Sequence, residues 1–201
     1  MLSNVPGTPV TEETSFTNLV SLACDDLRTP LATVYGYART LSRADGLDPT
    51  LAGYAEMIET AGRQLAELID ELSLAARIEG GRYEAKREPV GTLEIAAAAT
   101  DTLGAERVAV SGEGADVSVD VDATKRSVSA LVQSALRHGG FDQVSVVAAG
   151  PELRISPVTP ASAPVVLGES LRDLGAAVAV MHLRHIGGSV SLDGETLTIG
   201  F

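Results

Sequence analysis

Residues 24–38, CDDLRTPLATVYGYA, gather two adjacent carboxylates, a guanidinium, several hydroxyls and the chain's single thiol, so any chemistry is sought here first. Asp25 and Asp26 could share a proton as an acid–base dyad only if their carboxyl groups met. Neighbours on a helix point about 100° apart, and the pair reads as a solvated acidic face instead. Asp25 and Thr29, four residues apart, fall on one side of that helix. Cys24 sits on an apolar position and reads as a small buried hydrophobe rather than a reactive thiol. A lone cysteine excludes an intrachain disulfide and suits the cytosol. His138, His182 and His185 have no cysteine or acidic partner at metal-ligand spacing. No metal site is expected, and the three histidines read as structural groups at helix ends or surfaces.

Two helices would position the first cluster. Val20, Cys24, Leu27, Leu31, Val34, Ala38 and Leu41 recur in alternating steps of four and three, a heptad seam. A second seam runs through Leu51, Tyr54, Ile58, Ala61, Leu65, Leu68 and Leu72 and ends near Gly80-Gly81. Joined by the turn-rich RADGLDPT, the two form an antiparallel hairpin that cannot bury its seams alone; dimerisation into a four-helix bundle would do so. Pro30, inside the first helix, is expected to kink it one turn after the acids.

From about residue 81 the texture changes. Leu93 to Leu103, Ala123 to His138 and Leu171 to Ile186 have helical spacing. VAVSG, DVSVDVD, VSVVAAG and ELRIS read as strands, and SVSLDGETLTIGF as a hairpin around a type I′ turn at Asp193-Gly194. The expected fold class is α+β: a flexible lead-in over 1–11, a helical-hairpin dimerisation domain over 12–80, and an α/β sandwich over 81–201.

Hydrophobic residues make up 45% of the chain but aromatic ones only 3%, which favours helices packed closely through small side chains. The net charge of −12 repels phosphate backbones and anionic headgroups, so no nucleic-acid or membrane-surface binding is expected, and a basic protein partner is easier to accommodate. No window reaches the roughly 18–20 apolar residues of a membrane span, and the start lacks a secretory signal, which reads as a soluble, cytoplasmic protein.

From about residue 12 to the end, the chain resembles the core of a bacterial sensor histidine kinase. DDLRTPLATVYGYA resembles the family's phosphoacceptor box, H-E/D-L-R-T-P-L, and ARIEGGRYEAKREPV its exit from the second helix. The resemblance implies a dimeric four-helix bundle followed by an ATP-domain-type α/β sandwich. The phosphoacceptor histidine falls on Asp25, whose carboxylate cannot form the phosphoramidate that an imidazole forms. ALVQSALRHGG resembles N-L-L-x-N-A-L-R-H, with the two asparagines falling on Ala130 and Ser134. D-x-G-x-G aligns with Thr159-Pro160-Ala161-Ser162-Ala163, replacing the aspartate by Thr159 and the glycines by Ala161 and Ala163. G-x-G-L falls on 173–176, with Asp173 and Gly175 at the glycine positions, so a carboxylate stands where triphosphate would approach a helix N-terminus. The stretch from Ala163 to Asp173 is too short for the family's lid.

These departures imply a pseudokinase without nucleotide or other cofactor, whose role is binding. By the resemblance, Asp25, Asp26, Arg28 and Thr29 would dock a response-regulator receiver domain or a related histidine kinase and modulate a two-component phosphorelay, with Arg28 reaching the receiver's acidic pocket. Two alternatives stay open. Thr29 occupies the place from which the family orients water against an aspartyl phosphate, which implies a response-regulator phosphatase; its retention is also explained by the fold around Pro30. Phosphotransfer through one of the remaining histidines is the other.

Overall fold

In the computed structural model the structure describes residues 12–44 and 46–201, and side chains from Phe16 onward; the expected lead-in over 1–11 lies outside them. The chain divides into two compact units, one ending at Tyr83 and the other spanning Glu84–Phe201.

The first unit is a hairpin of two helices, α1 (Glu12–Ser42) and α2 (Pro49–Glu79). Pro30 withdraws the N–H that would bond one turn back, yet α1 runs through it as one element. α2 starts where Asp48 accepts a hydrogen bond from the Thr50 amide at 2.9 Å, with Pro49 preset in the first turn. It stops at Gly80, and Gly81 takes the left-handed φ of +64° that lets the chain turn away. The two helices meet through small residues: Cys24 and Ala38 on α1, and Ala55, Gly62 and Ala76 on α2, are buried. A Cβ on Gly62 would stand 3.3 Å from Tyr35 Cδ2, so glycine lets the helices approach there. Ser42 Oγ donates to Glu59 Oε2 near the turn, and Arg82 reaches Ser21 Oγ and the Thr17 carbonyl at the open end.

The second unit is built on a five-stranded sheet of order β2-β4-β5-β7-β6: β2 (Val108–Gly114), β4 (Val144–Gly150), β5 (Glu152–Ser156), β6 (Ser189–Asp193) and β7 (Thr196–Gly200). β2 and β4 run parallel, in register from Val108 opposite Val144; the other pairs are antiparallel. β1 (Arg87–Gly91) and β3 (Asp116–Asp120) form a separate two-stranded antiparallel ribbon. Helices α3 (Thr92–Leu103), α4 (Val121–Gly139) and α6 (Leu174–His185) supply the second layer, with α3 against β2 and β4 and α4 packed on both α3 and α6. The inward positions of alternating strands, Val144, Val146, Leu153, Ile155, Leu197 and Ile199, are buried with Ile95, Leu131, Leu136 and Leu183 from the helices.

Four sequence expectations need correction. DVSVDVD does not continue as strand: Asp120 ends β3 and caps α4, accepting from the Ala123 amide. The helix expected from Leu171 to Ile186 begins at Leu174, because Asp173 is extended and caps it; Leu171 is 87% exposed. A short helix, α5 (Ala163–Val166), was not foreseen. Asp193 pairs with Thr196, so the last turn is Gly194-Glu195; φ is positive at Gly194 (+58°) and not at Glu195, which is the type II′ rather than the type I′ pattern.

Candidate functional site

On the hairpin, α1 presents Asp25, Asp26, Arg28 and Thr29, all exposed. Two of the four are brought together. Arg28 donates from Nη1 to Asp25 Oδ1 at 2.6 Å and from Nη2 to Asp70 Oδ1 on α2 at 2.9 Å. The guanidinium thus ties the helices across their outer face, and its hydrogen bond to Asp70, ahead of the charges of Asp70 and Asp25, holds its pKa above the ordinary value against the opposing cost of desolvation. All three groups are solvated, so the cluster contributes little to stability and much to local charge. Asp26 and Thr29 take no part in these bonds. Beside the cluster, a groove of about 390 Å³ runs between the helices past Leu31, Tyr35, Gly62 and Ala66. Cys24 is buried beneath, and burial raises its thiol pKa, keeping it protonated and unreactive.

Asp70 was missed by sequence reasoning. It lies 42 residues from Arg28 on the other helix, where spacing along the chain carries no signal of the pairing.

In the second unit, Ala130 and Ser134 lie on α4; Ser134 is fully buried and its hydroxyl has no hydrogen-bond partner. Thr159 and Ser162 close on each other: the Ser162 hydroxyl takes the Thr159 amide at 3.0 Å, and the Thr159 hydroxyl takes the Ser162 amide at 3.1 Å. Ser162 is buried, Ala161 is exposed, and Ala163 opens α5, whose Val165 and Val166 are buried. Asp173 caps α6: Oδ1 accepts from the Ala176 amide at 3.2 Å, while Oδ2 lies 3.2 Å from His138 Nε2 and 3.7 Å from Arg137 Nη1. Gly175 follows in the first turn, half-buried. The structure therefore joins Asp173 to α4 and leaves the Thr159–Ser162 turn satisfied by itself.

All three histidines lie in the last turns of helices. His138 does have an acidic partner, Asp173, which sequence spacing could not reveal across 35 residues. His182 is not at a surface: it is fully buried, with Nδ1 2.9 Å from Ser127 Oγ. Burial lowers its pKa to about 4, against a smaller raising effect of Asp120 and with Arg126 and His185 adding to the fall, so it is neutral at ordinary pH. His185 is exposed. Among the described residues, no group of three or more His, Cys, Asp or Glu side chains is placed to hold a metal ion, and no helix is long and apolar enough to cross a membrane.

A helical hairpin followed by a mixed sheet with helices packed on it is the architecture of histidine kinase structures, and residues 17–81 match the His Kinase A (phospho-acceptor) domain family. The chain is also similar in sequence to two curated histidine kinase relatives. The chain is 30% identical over 142 residues to the sensor protein DivL of Caulobacter vibrioides, covering 65% of this chain and 18% of DivL. It is 34% identical over 139 residues to the histidine protein kinase DivJ of the same organism, covering 62% of this chain and 23% of DivJ. It therefore spans less than a quarter of either relative. Among solved structures, full-length ShkA in complex with AMPPNP is similar in fold, with a TM-score of 0.66, 18% identity, and 91% of this chain and 44% of ShkA covered.

Proposed function

We propose that the chain is a homodimeric, histidine-kinase-like signalling protein in which phosphoryl chemistry is lost and docking is kept. The surface of α1 around Asp25, Asp26, Arg28 and Thr29 binds a receiver domain or a related histidine kinase and so modulates a phosphorelay. The observation that carries this reading is Asp25. An exposed carboxylate, tied to Arg28, stands where the family's box has its imidazole. A carboxylate cannot hold a phosphoryl group as a phosphoramidate, but it can be recognised.

The second unit supports the same reading. Ser134 is enclosed, the Thr159–Ser162 turn spends its polar groups on itself, and Asp173 adds a negative charge at the α6 N-terminus, so ATP finds neither a metal bridge nor a free anion site. Calorimetric titration of the full chain with Mg·ATP is expected to be silent at millimolar nucleotide; micromolar binding would restore an ATP-dependent kinase or nucleotide sensor. Receiver domains from the same genome, passed singly over the immobilised protein, should include one retained by wild type and not by an Asp25→Lys variant.

One observation favours a phosphatase as the second reading: Thr29 is exposed one turn beyond Asp25, on the same side of α1. In that case Thr29 orients water against a receiver's aspartyl phosphate, and the receiver brings its own Mg²⁺. Thr29→Ala should then slow dephosphorylation of the bound receiver about 10²-fold or more, in the range of a lost general acid–base or positioning contribution. An unchanged rate leaves docking alone.

A further inference from the structure

We infer that Asp173 serves as a built-in anion: its carboxylate occupies a small cationic cradle between α4 and α6, locks the two helices together, and excludes external anions. The inference rests in part on the reading that this unit takes no nucleotide. It goes beyond that reading by assigning the exclusion, and part of the unit's stability, to one side chain and three partners.

The cradle has two hydrogen-bond partners and one ion-pair partner on two elements. The α6 N-terminus offers the Ala176 amide at 3.2 Å, backed by the partial positive charge of the helix end. α4 offers His138 Nε2 at 3.2 Å and the Arg137 guanidinium at 3.7 Å, both in its last turn. The Asp173 side chain is only 11% exposed and that of His138 24%, so their contact forms with most of the surrounding water removed, whereas Arg137, 60% exposed, adds a solvent-screened ion pair.

Two features show that the carboxylate fills a place that otherwise lacks an occupant. The C-terminus of α4 carries Arg137; pointing that guanidinium at a helix N-terminus sets positive against positive unless an anion lies between. One turn before His138 on the same side of α4, Ser134 buries its hydroxyl without a hydrogen-bond partner. A polar atom fully withdrawn from water and left unpaired is costly. With Asp173 in place, an incoming phosphate would have to displace a carboxylate already supplied at intramolecular concentration.

The test uses the full chain and inorganic pyrophosphate as the probe, with chloride at matched ionic strength as the reference. Asp173→Ser keeps a capping oxygen but withdraws the charge and opens the space. Wild type should show the same melting temperature in both salts. Asp173→Ser should melt about 3–5 °C lower in chloride and recover most of that loss in pyrophosphate. Adding Arg137→Ala and His138→Ala should abolish the recovery. Asp173→Asn, which keeps both shape and cap, should show the loss without the recovery because its amide still fills the space, and it provides the reading if the serine variant folds poorly.

The inference is overturned if Asp173→Asn and Asp173→Ser melt with wild type, or if pyrophosphate stabilises wild type and the serine variant equally. Failure of the proposed function looks different. Mg·ATP binding to wild type that persists after Asp173→Ser, alongside the predicted pyrophosphate recovery, would remove the non-nucleotide reading and leave the cradle standing.

Discussion

At the scale of single residues, the buried polar groups carry the sharpest consequences. His182 sits at the contact of α4 and α6, with its ring bonded to Ser127 and its pKa lowered to about 4, chiefly by desolvation. In the unfolded chain the same imidazole titrates near 6.5. Above that pH it is neutral in both states and adds no pH dependence. As pH falls below 6.5 the unfolded chain takes the proton while the folded chain refuses it until about 4, so stability is lost across that window. Each unit of difference is worth about 1.4 kcal/mol, so the loss is on the order of 3 kcal/mol. Urea denaturation at a series of pH values should show this fall, and His182→Gln, which keeps a polar partner for Ser127 without titrating, should flatten it. An equal slope in the variant would assign the acid sensitivity to other groups.

At the scale of elements, what was legible in the sequence followed from periodicity, and what was not followed from side chains acting across the fold. The threes and fours of Val20 to Leu41 and Leu51 to Leu72 specify two helices of 31 residues each, and alternation in VSVVAAG and ELRIS specifies paired strands. The misplaced ends have one common cause. Asp120 and Asp173 turn their carboxylates onto amides three residues ahead, ending an extended segment and starting a helix where hydrophobic pattern alone would run on. α5, at four residues, is too short for any period to register. The site was legible in its α1 half because Asp25, Arg28 and Thr29 are neighbours in sequence. Its other member, Asp70 opposite Arg28, depends on which helix faces which, and so does the separate pairing of His138 with Asp173 in the second unit. Asp173 thus read as a repelling charge, whereas its carboxylate is paired on three sides.

At the scale of the whole molecule, the hairpin's packing argues for a second copy. The residues buried between α1 and α2 are small, while Leu27, Val34, Leu41, Leu51, Ile58, Leu65, Leu68 and Leu72 remain between 40% and 53% exposed. Each half-exposed leucine or isoleucine forgoes roughly 1 kcal/mol of burial, and two such stripes from two chains together outweigh an association cost of about 4–15 kcal/mol. A long hairpin that kept these side chains in water would hold an apolar surface far beyond what monomers tolerate. Sedimentation equilibrium should therefore give twice the protomer mass for wild type. Leu65→Glu with Ile58→Glu should give the protomer mass and reduced helicity, because the hairpin loses the partner that covers its seams. Leu171→Glu changes an equally apolar and still more exposed side chain outside the hairpin, and should leave the mass at two protomers. Dimerisation unaffected by the paired glutamates would move the interface off the seams, and a wild-type monomer would remove the four-helix bundle, and with it the composite α1 surface offered to a docking partner.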